Sequence, residues 1–530
     1  MPDSGAMCNS DDTSKSSILT GDRIERIDSP EVKRDSPRLR GTDLRAIAQS
    51  AVIWNTGFNL FRDLLQFVVM LVLVRLLDAR AYGQFSLVTS IVGFISIFSF
   101  NNFIAYTLQV ETEEETHYQE HFTAGAVLQI GMFLLTNFIA VCLRWIPAYS
   151  STTPLLHVMS VTFLLEWPCE LRRKMIERDF DWRRLRLVHA IGLSINAALA
   201  IILGWMGAGV YALLVPGMAV TWPFIYDLFV SAHWRPNWSW SWEKYKRAWN
   251  FGLTRIGSGL TLYGKQLLES GVLAAVLGFS SLGILTRSIG LAQMFCQKFA
   301  SQLMYAIYPI LARSGAGSGA HIGSLIFRLV AWTVVPIAVC FAVLAGPVVG
   351  TVYGKKWLAV VPLLPWAMAW GVGASLSHAG YMLLLARQQQ RRCLFADALF
   401  LCGTGVALAL ALPFGTRAYL MASAILQFLV LLMMVQWLFQ LEALTSSGLV
   451  SAFLPTITAS FLAAVAAVAM LRFLNLAPST FVTAAGWGII FALSYLLSLR
   501  LIFVRELSDL ISYFPARKQM NRLFLLKKVQ

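Results

Sequence analysis

"RLLDARAYGQFSLV", residues 75–88, and "VLGFSSLGILTRSI", residues 276–289, are stretches of similar pattern in the two halves of the chain. Each stretch closes one long apolar segment and opens the next. Gly83 aligns with Gly283, 200 residues later. We interpret both stretches as long helix, tight glycine turn and long helix, and the pair indicates a duplicated chain.

The composition is that of a membrane protein. Of the 530 residues, 57% are hydrophobic and only 13% are charged, with a mean hydropathy of +0.63. A spanning helix needs about 20 apolar residues, and fourteen apolar segments of suitable length follow one another between residues 48 and 504. The sequence therefore predicts an all-α, polytopic membrane protein.

The segments divide into two sets of six and a final pair. We expect a disordered cytosolic tail (1–45), a first six-helix lobe (46–232), a Trp-rich cytosolic linker (233–247), a second six-helix lobe (248–441), a terminal helix pair (450–504) and a basic amphipathic tail (505–530). Duplicated halves with a site between them are how many transporters are built. We therefore expect a central cavity between the lobes.

Basic residues are concentrated on one side of the predicted membrane. With the N-terminus in the cytosol, the cytosolic parts hold about 30 of the 43 Lys and Arg residues, and the opposite side holds about seven. By the positive-inside rule, this distribution places both termini in the cytosol. We expect a multi-pass protein of the cytoplasmic (inner) membrane.

A polar stripe interrupts the first apolar segment. Asn55, Asn59, Arg62, Asp63 and Gln66 are spaced so that they lie on one face of a helix. Such a face is tolerated in a membrane only towards protein or a water-filled cavity. We expect it to line the cavity, and the alternative is that these side chains join neighbouring helices.

Further basic residues recur at membrane depth in the second half. Arg255 and Lys265 lie in the seventh segment, and Arg287 and Lys298 share one face of the eighth. Around these cations and Arg62 there are few deep acids, so a cationic excess remains. Uncompensated buried cations favour an anionic ligand such as a phosphate or diphosphate, which arginine binds as a planar fork. The alternative is a structural ion-pair network.

Three acids at depth are candidates for coupling transport to a proton or sodium gradient: Asp63, Glu269 and Asp397. For each of them, pairing with a basic neighbour is the simpler interpretation; Glu269 stands four residues after Lys265. The sequence indicates no metal site, no catalytic group and no cofactor other than such an ion.

Several ordered motifs resemble those of one family. They are "LVRLLDARAYGQFSLV" (73–88), "ELRRKMIERDFDWRRLRLVHAIG" (170–192), "LESGVLAAVLGFSSLGILTRSIGL" (268–291) and "YGKKWLAVVPLLPWAMA" (353–369). They resemble the polysaccharide and O-antigen flippases (Wzx-type, colanic-acid-exporter-like branch) of the multidrug/oligosaccharidyl-lipid/polysaccharide exporter superfamily. The resemblance covers roughly residues 45–440.

This resemblance implies twelve to fourteen helices in two lobes and an alternating-access mechanism. It implies that a lipid-linked oligosaccharide, carried on undecaprenyl pyrophosphate, moves to the periplasmic leaflet for exopolysaccharide or O-antigen synthesis. The implied partners are membrane lipids, a polysaccharide polymerase and other assembly proteins, and no nucleic acid. The alternatives are a drug/cation antiporter of the same superfamily, which predicts an acidic cavity, and a membrane enzyme of polysaccharide assembly.

Overall fold

The computed structural model describes residues 41–110, 117–232, 234–304, 319–474 and 481–512. Within these ranges all regular structure is helical, and no strand occurs. The predicted N-terminal tail lies almost wholly outside the described residues.

The helices follow one another along the chain with short connections. They are α1 (Gly41–Leu76), α2 (Ala79–Ile95), α3 (Phe100–Ile104), α4 (Tyr118–Arg144), α5 (Thr153–Arg178), α6 (Trp182–Trp205), α7 (Tyr211–Ala219), α8 (Trp222–Val230), α9 (Trp242–Ala292), α10 (Gly319–Val343), α11 (Ala345–Val348), α12 (Leu364–Ala386), α13 (Gln390–Ala411), α14 (Thr416–Gln440), α15 (Ser446–Leu474), α16 (Phe481–Ile502) and α17 (Val504–Ser512). There are also two π-helical turns, Gln293–Gln297 and Val349–Tyr353, and five short 3-10 turns, Ser96–Phe98, Ala105–Leu108, Ser150–Thr152, Lys355–Val360 and Leu412–Phe414. Residues 298–304 continue as helix after the first π-turn.

Eleven helical stretches of the described residues are long and apolar enough to cross a membrane. One of them, Gly259–Met304, bends at Gly278, whose φ of +80° lies in the region that favours glycine. The bend divides α9 into a first arm, residues 242–277, and a second arm, residues 279–292. The all-helical, multi-pass membrane fold is thus confirmed, and the count of fourteen spans stays a prediction.

The two predicted lobes meet where α2 crosses the second arm of α9. A β-carbon on Gly83 would lie 1.8 Å from the carbonyl oxygen of Phe279, and one on Gly283 would lie 1.8 Å from that of Ala79. The contact is reciprocal, because Ala79 and Phe279, like the two glycines, stand 200 residues apart. Only glycine permits this backbone-to-backbone approach. We call it the glycine crossing.

The expectation that Gly83 and Gly283 form the hairpin turns is wrong, because both lie inside helices. The first hairpin turns at Asp78, whose Oδ1 accepts a hydrogen bond from the backbone N–H of Ala81 at 2.8 Å and so caps α2. The second turns at Gly278. The alignment of the two glycines marks a contact between the repeats rather than a shared turn.

Unpaired carbonyls at the end of α1 receive donors from the second lobe. The Trp357 indole donates to the carbonyl of Val74 at 2.7 Å, and Lys356 Nζ donates to that of Arg75 at 2.7 Å. In return, Arg75 Nε donates to the carbonyl of Val352 at 3.2 Å. The last carbonyls of a helix lack partners within it. These bonds therefore satisfy carbonyls at the end of α1 and in the π-turn Val349–Tyr353, and they join the lobes beside the glycine crossing.

Side chains extend this junction along the hairpins. The hydroxyls of Ser90 and Ser270 lie 2.9 Å apart, and the Tyr149 hydroxyl donates to the carbonyl of Gly271 at 3.0 Å. Ser90 and Ser270 are both buried. The lobes are therefore in close contact over the first three turns of α2.

The linker between the lobes is docked on the first lobe. Gln119 in α4 donates to the carbonyl of Arg235 at 2.8 Å and accepts from the backbone N–H of Asn237 at 2.7 Å. Residues 234–241 have no regular structure, whereas 242–247 already belong to α9. The segment without regular structure is thus shorter than the expected linker, residues 233–247, because 242–247 are helical.

The terminal helices pack on the second lobe. The Tyr495 hydroxyl of α16 donates to the carbonyl of Trp332 in α10 at 3.0 Å. In α17, Leu507, Leu510 and Ile511 are buried in the protein core. This apolar face contacts protein rather than lying on the inner leaflet as predicted, and residues 513–530 lie outside the described part.

Gly83→Ala should separate the lobes, because its β-carbon meets the backbone of Phe279 and no side-chain movement relieves the clash. The measurement is the yield of an oxidative disulfide between Ser90→Cys and Ser270→Cys, in a background whose exposed Cys142 and Cys402 are serine. We expect the yield to fall at least several-fold.

Gly131→Ala is the matched control, since a β-carbon there has nothing within 4 Å. It should leave the disulfide yield unchanged. An equal yield in Gly83→Ala and Gly131→Ala would show that the glycine crossing does not hold the lobes together.

Candidate functional site

A cavity of about 330 Å³ lies directly beyond the glycine crossing. It is bounded by α2 of the first lobe and by both arms of α9, α12, α13 and α14 of the second lobe. Tyr82 and Leu282, the neighbours of the two crossing glycines, form part of its wall. Three of the predicted site residues line it: Lys265, Glu269 and Arg287. We call this space the first compartment.

Arg287 is the unneutralised charge of the first compartment. Within the described residues no carboxylate pairs with its guanidinium, and its buried Nε has no hydrogen-bond partner. Its Cζ lies 4.3 Å from the centre of the Tyr82 ring, which belongs to the opposite lobe. A cation over an aromatic face gains about 0.5–2 kcal/mol, less than a charge-assisted bond to an anion supplies.

Lys265 has closer partners. Its Nζ lies 3.8 Å from a carboxylate oxygen of Glu269, one helical turn away, and 4.5 Å from the centre of the Phe400 ring. The carboxylate and the ring together offset part of its charge. The predicted pairing of Lys265 with Glu269 is therefore confirmed, and the charge of Arg287 is the less compensated of the two.

A second compartment of about 520 Å³ adjoins the first within the second lobe. The two share the side chains of Lys265, Gln293, Trp370 and Phe400 as a common wall. The predicted acid Asp397 lines the second compartment.

Asp397 accepts a hydrogen bond from the Tyr381 hydroxyl at 3.4 Å. His378, which also lines this compartment, has a buried Nε2 without a hydrogen-bond partner within the described residues. Apart from the shared Lys265, the described walls of the second compartment thus carry neutral polar groups and one carboxylate.

The α1 stripe lies apart from both compartments. Lys298 Nζ lies 2.6 Å from the Asp63 carboxylate, which also accepts from Arg62 Nε at 3.1 Å. Asp63 belongs to the first lobe and Lys298 to the second, so this cluster is an ion-pair bridge between lobes. We predicted that the stripe lines the cavity, and none of its residues does so among the described walls.

The remaining stripe residues also lie outside the described walls of the cavity. Asn55 accepts a hydrogen bond from Arg186 Nε of α6 at 2.5 Å, within the first lobe. Asn59 is half-buried and Gln66 is exposed. Arg255 lies in the first arm of α9, but its side chain is outside the described residues.

Sequence reasoning missed two glutamines. Gln293 and Gln297 begin and end the π-helical turn, and both line the second compartment. A π-turn adds a residue to a helical turn and shifts the faces of the helix, which is common at functional sites. An unperturbed 3.6-residue periodicity gives no signal for it.

An apolar groove of about 230 Å³ lies on the other face of the same helix. Phe67 and Met70 of α1, Leu291 and Phe295 after Gly278, and Phe341 of α10 are among its walls. Because Leu291 and Phe295 alternate with Gln293 and Gln297, one helix separates the apolar groove from the polar second compartment.

Comparison with known sequences identifies a family and a relative that this chain resembles. A family model described as polysaccharide biosynthesis protein matches residues 72–362, more than half of the chain. The succinoglycan biosynthesis transport protein ExoT of Rhizobium meliloti (strain 1021) is 21% identical over 306 residues, which cover 57% of this chain. The alignment spans only 61% of that relative's length.

Two solved structures share the fold. The lipid II flippase MurJ in an inward closed conformation superposes with a TM-score of 0.62 and 11% identity, covering 86% of this chain and 99% of that one. An inward-facing multidrug resistance MATE family transporter of the MOP superfamily gives 0.54 and 14%, covering 72% and 95%.

Reversal of either charge in the Asp63–Lys298 bridge should destabilise the protein, and reversal of both should restore most of the loss. Both side chains are about a third exposed, so we expect a coupling of only about 1 kcal/mol. The measurement is the thermal midpoint of the detergent-solubilised protein for Asp63→Lys, Lys298→Asp and the double variant.

The matched control is the pair Lys174 and Glu177, which lies within one helix of the first lobe. Its reversal should change the midpoint by a smaller amount, because no lobe contact depends on it. Additive losses in the Asp63 and Lys298 double variant would contradict the bridge.

Proposed function

The chain belongs to the polysaccharide biosynthesis protein family, as its motifs predicted, and we propose that it is a flippase for lipid-linked oligosaccharides. The cargo is an oligosaccharide repeat unit joined to a polyprenyl lipid, undecaprenol, through a diphosphate. The observation that carries this proposal is Arg287, a cation that pairs with no carboxylate among the described residues and lines a cavity between the two lobes.

The first compartment suits the diphosphate. Arg287 offers a planar set of donors that matches two phosphate oxygens, and Lys265 adds a second positive charge on the facing wall. Glu269 restrains Lys265 at 3.8 Å, a distance long enough for an incoming phosphate to compete. The same carboxylate keeps the empty compartment from carrying two uncompensated charges.

The apolar groove suits the polyprenyl tail. Its walls are almost entirely hydrocarbon, and one helix separates it from the polar compartments. A lipid with a charged headgroup needs both environments side by side, since apolar burial gains about 25 cal/mol per Å² and a buried phosphate needs paired donors. The walls of the groove come from α1, the second arm of α9, α10, α11 and α16.

The arrangement of contacts supports alternating access. With both termini in the cytosol, the α1–α2 turn and the glycine crossing lie on the periplasmic side, so that the cavity is closed to that side. Release to the periplasmic leaflet then requires the crossing and the bonds of Arg75, Lys356 and Trp357 to separate. The six-helix lobes, residues 46–232 and 248–441, are the moving bodies in this proposal.

Asp397 is the best placed of the three proposed coupling acids. Asp63 and Glu269 each contact a lysine, at 2.6 and 3.8 Å, whereas the partner found for Asp397 is the neutral Tyr381. A carboxylate that lines a polar compartment and forms no ion pair with a described residue suits a proton or sodium ion. We propose that gradient coupling acts there.

The drug/cation antiporter is the second candidate, and it predicts an acid-dominated cavity. The first compartment holds two cations and one carboxylate among its described walls, which favours an anionic cargo. An inner-membrane location and a role in exopolysaccharide or O-antigen assembly, beside a polymerase, complete the proposal.

Arg287→Ala should lower export of the polymer about tenfold or more, because a charge-assisted bond to the diphosphate is lost. Arg287→Lys should retain part of the activity. Arg62→Ala should have a smaller effect, since Arg62 contacts Asp63 rather than the cavity. The assay is polymer export in a strain that lacks the native gene, with equal protein levels.

Arg417→Ala is the control, because Arg417 is an exposed cation at the start of α14. It should export normally. Full export by Arg287→Ala would remove the diphosphate assignment.

A further inference from the structure

The two compartments differ in chemistry although they share a wall. The first holds the charged groups Arg287, Lys265 and Glu269. The second is lined by amides, an imidazole, a phenol and the Asp397 carboxylate, and Lys265 belongs to the wall that the two compartments share. Both volumes, about 330 and 520 Å³, fall in the range of ligand-binding cavities.

The charges of the two compartments favour different parts of the proposed ligand. A diphosphate carries two or more negative charges and is attracted to Arg287, whereas Asp397 repels it from the second compartment. An uncharged glycan has no such penalty. Its hydroxyls are both donors and acceptors, which is what amide and imidazole groups match.

The π-turn places two such amides in the second compartment. Gln293 and Gln297 line it, and their side-chain amides make no hydrogen bond within the described part of the chain. Each amide offers two donors and an acceptor. A helix without the extra residue would not present these two side chains in this way.

His378 adds a third unused polar group. Its Nε2 is buried and has no hydrogen-bond partner among the described residues, although the side chain lines the compartment. A buried polar group without a partner is unfavourable, so a ligand hydroxyl that bonds to it is favoured. Trp370 and Phe400, on the common wall, supply apolar surface against which the carbon faces of sugar rings can pack.

We propose that the second compartment is the glycan subsite, in which Gln293, Gln297 and His378 bind the hydroxyls of the sugar nearest the diphosphate. The inference rests on the proposed function, because it assumes that the diphosphate occupies the first compartment. It assigns sugar specificity to the second lobe alone. The first lobe then contributes to the contact with the headgroup and to the lobe junction.

The test uses the full chain in lipid nanodiscs and four probes. They are farnesyl diphosphate and its conjugates with glucose, galactose and N-acetylglucosamine, and the measured quantity is the dissociation constant of each. At least one conjugate should bind the native protein about tenfold more tightly than farnesyl diphosphate. Gln297→Leu and His378→Phe, which line only the second compartment, should each remove most of that gain and leave the affinity for farnesyl diphosphate unchanged.

Gln66→Leu is the control, because Gln66 is exposed on α1 and lies outside both compartments. It should bind all four probes like the native protein. Unchanged binding of farnesyl diphosphate in the variants also shows that they are folded.

The outcomes separate the two proposals. A sugar-dependent gain that survives in both variants would overturn the glycan subsite and leave the proposed flippase function standing. The absence of any gain with all three conjugates would overturn it as well. If the native protein fails to bind farnesyl diphosphate, the diphosphate assignment is wrong. The glycan subsite, which rests on that assignment, is then wrong as well.

Discussion

The structure depends on a contact between two helix backbones. At the glycine crossing the missing β-carbons of Gly83 and Gly283 let α2 and the second arm of α9 approach until each meets a carbonyl oxygen of the other. The carbonyls exposed at the end of α1 are then close enough to receive Lys356 and Trp357. The crossing closes one end of the space between the lobes, and the polar compartments lie directly behind it.

The charges of the protein divide into two groups with different roles. Asp63 and Lys298 join the lobes, and Arg62 supports Asp63. Arg287 pairs with no carboxylate among the described residues, and it lies over the Tyr82 ring of the opposite lobe. In the proposed function, a phosphate that binds Arg287 would compete with this contact between the lobes, so that binding of the cargo would weaken the junction. Such differential binding is what a ligand needs in order to shift a conformational equilibrium.

The sequence predicts the helical membrane fold and the family well, because apolar length and ordered motifs carry that information. The alignment of Gly83 with Gly283 predicts a repeat, but it does not show whether the glycines turn the chain or face each other.

Periodicity predicts that the polar residues of α1 share one face of the helix. Periodicity does not tell which neighbour that face meets, and Asp63 finds its partner in Lys298, 235 residues away. The π-turn at Gln293 leaves no trace in the pattern of residues. Of the predicted anion-binding cations, Lys265 and Arg287 lie together, because the bend at Gly278 brings the two arms of α9 side by side.

The most direct measurement is the distance between spin labels at Arg80 and Ser280, which are exposed residues on either side of the glycine crossing, 200 residues apart. Double electron–electron resonance in nanodiscs should give one short distance without ligand and a second, longer population when farnesyl diphosphate is added. In Arg287→Ala the longer population should not appear. A single unchanged distance in a preparation that flips its lipid cargo would contradict the view that the crossing is the barrier the cargo must open.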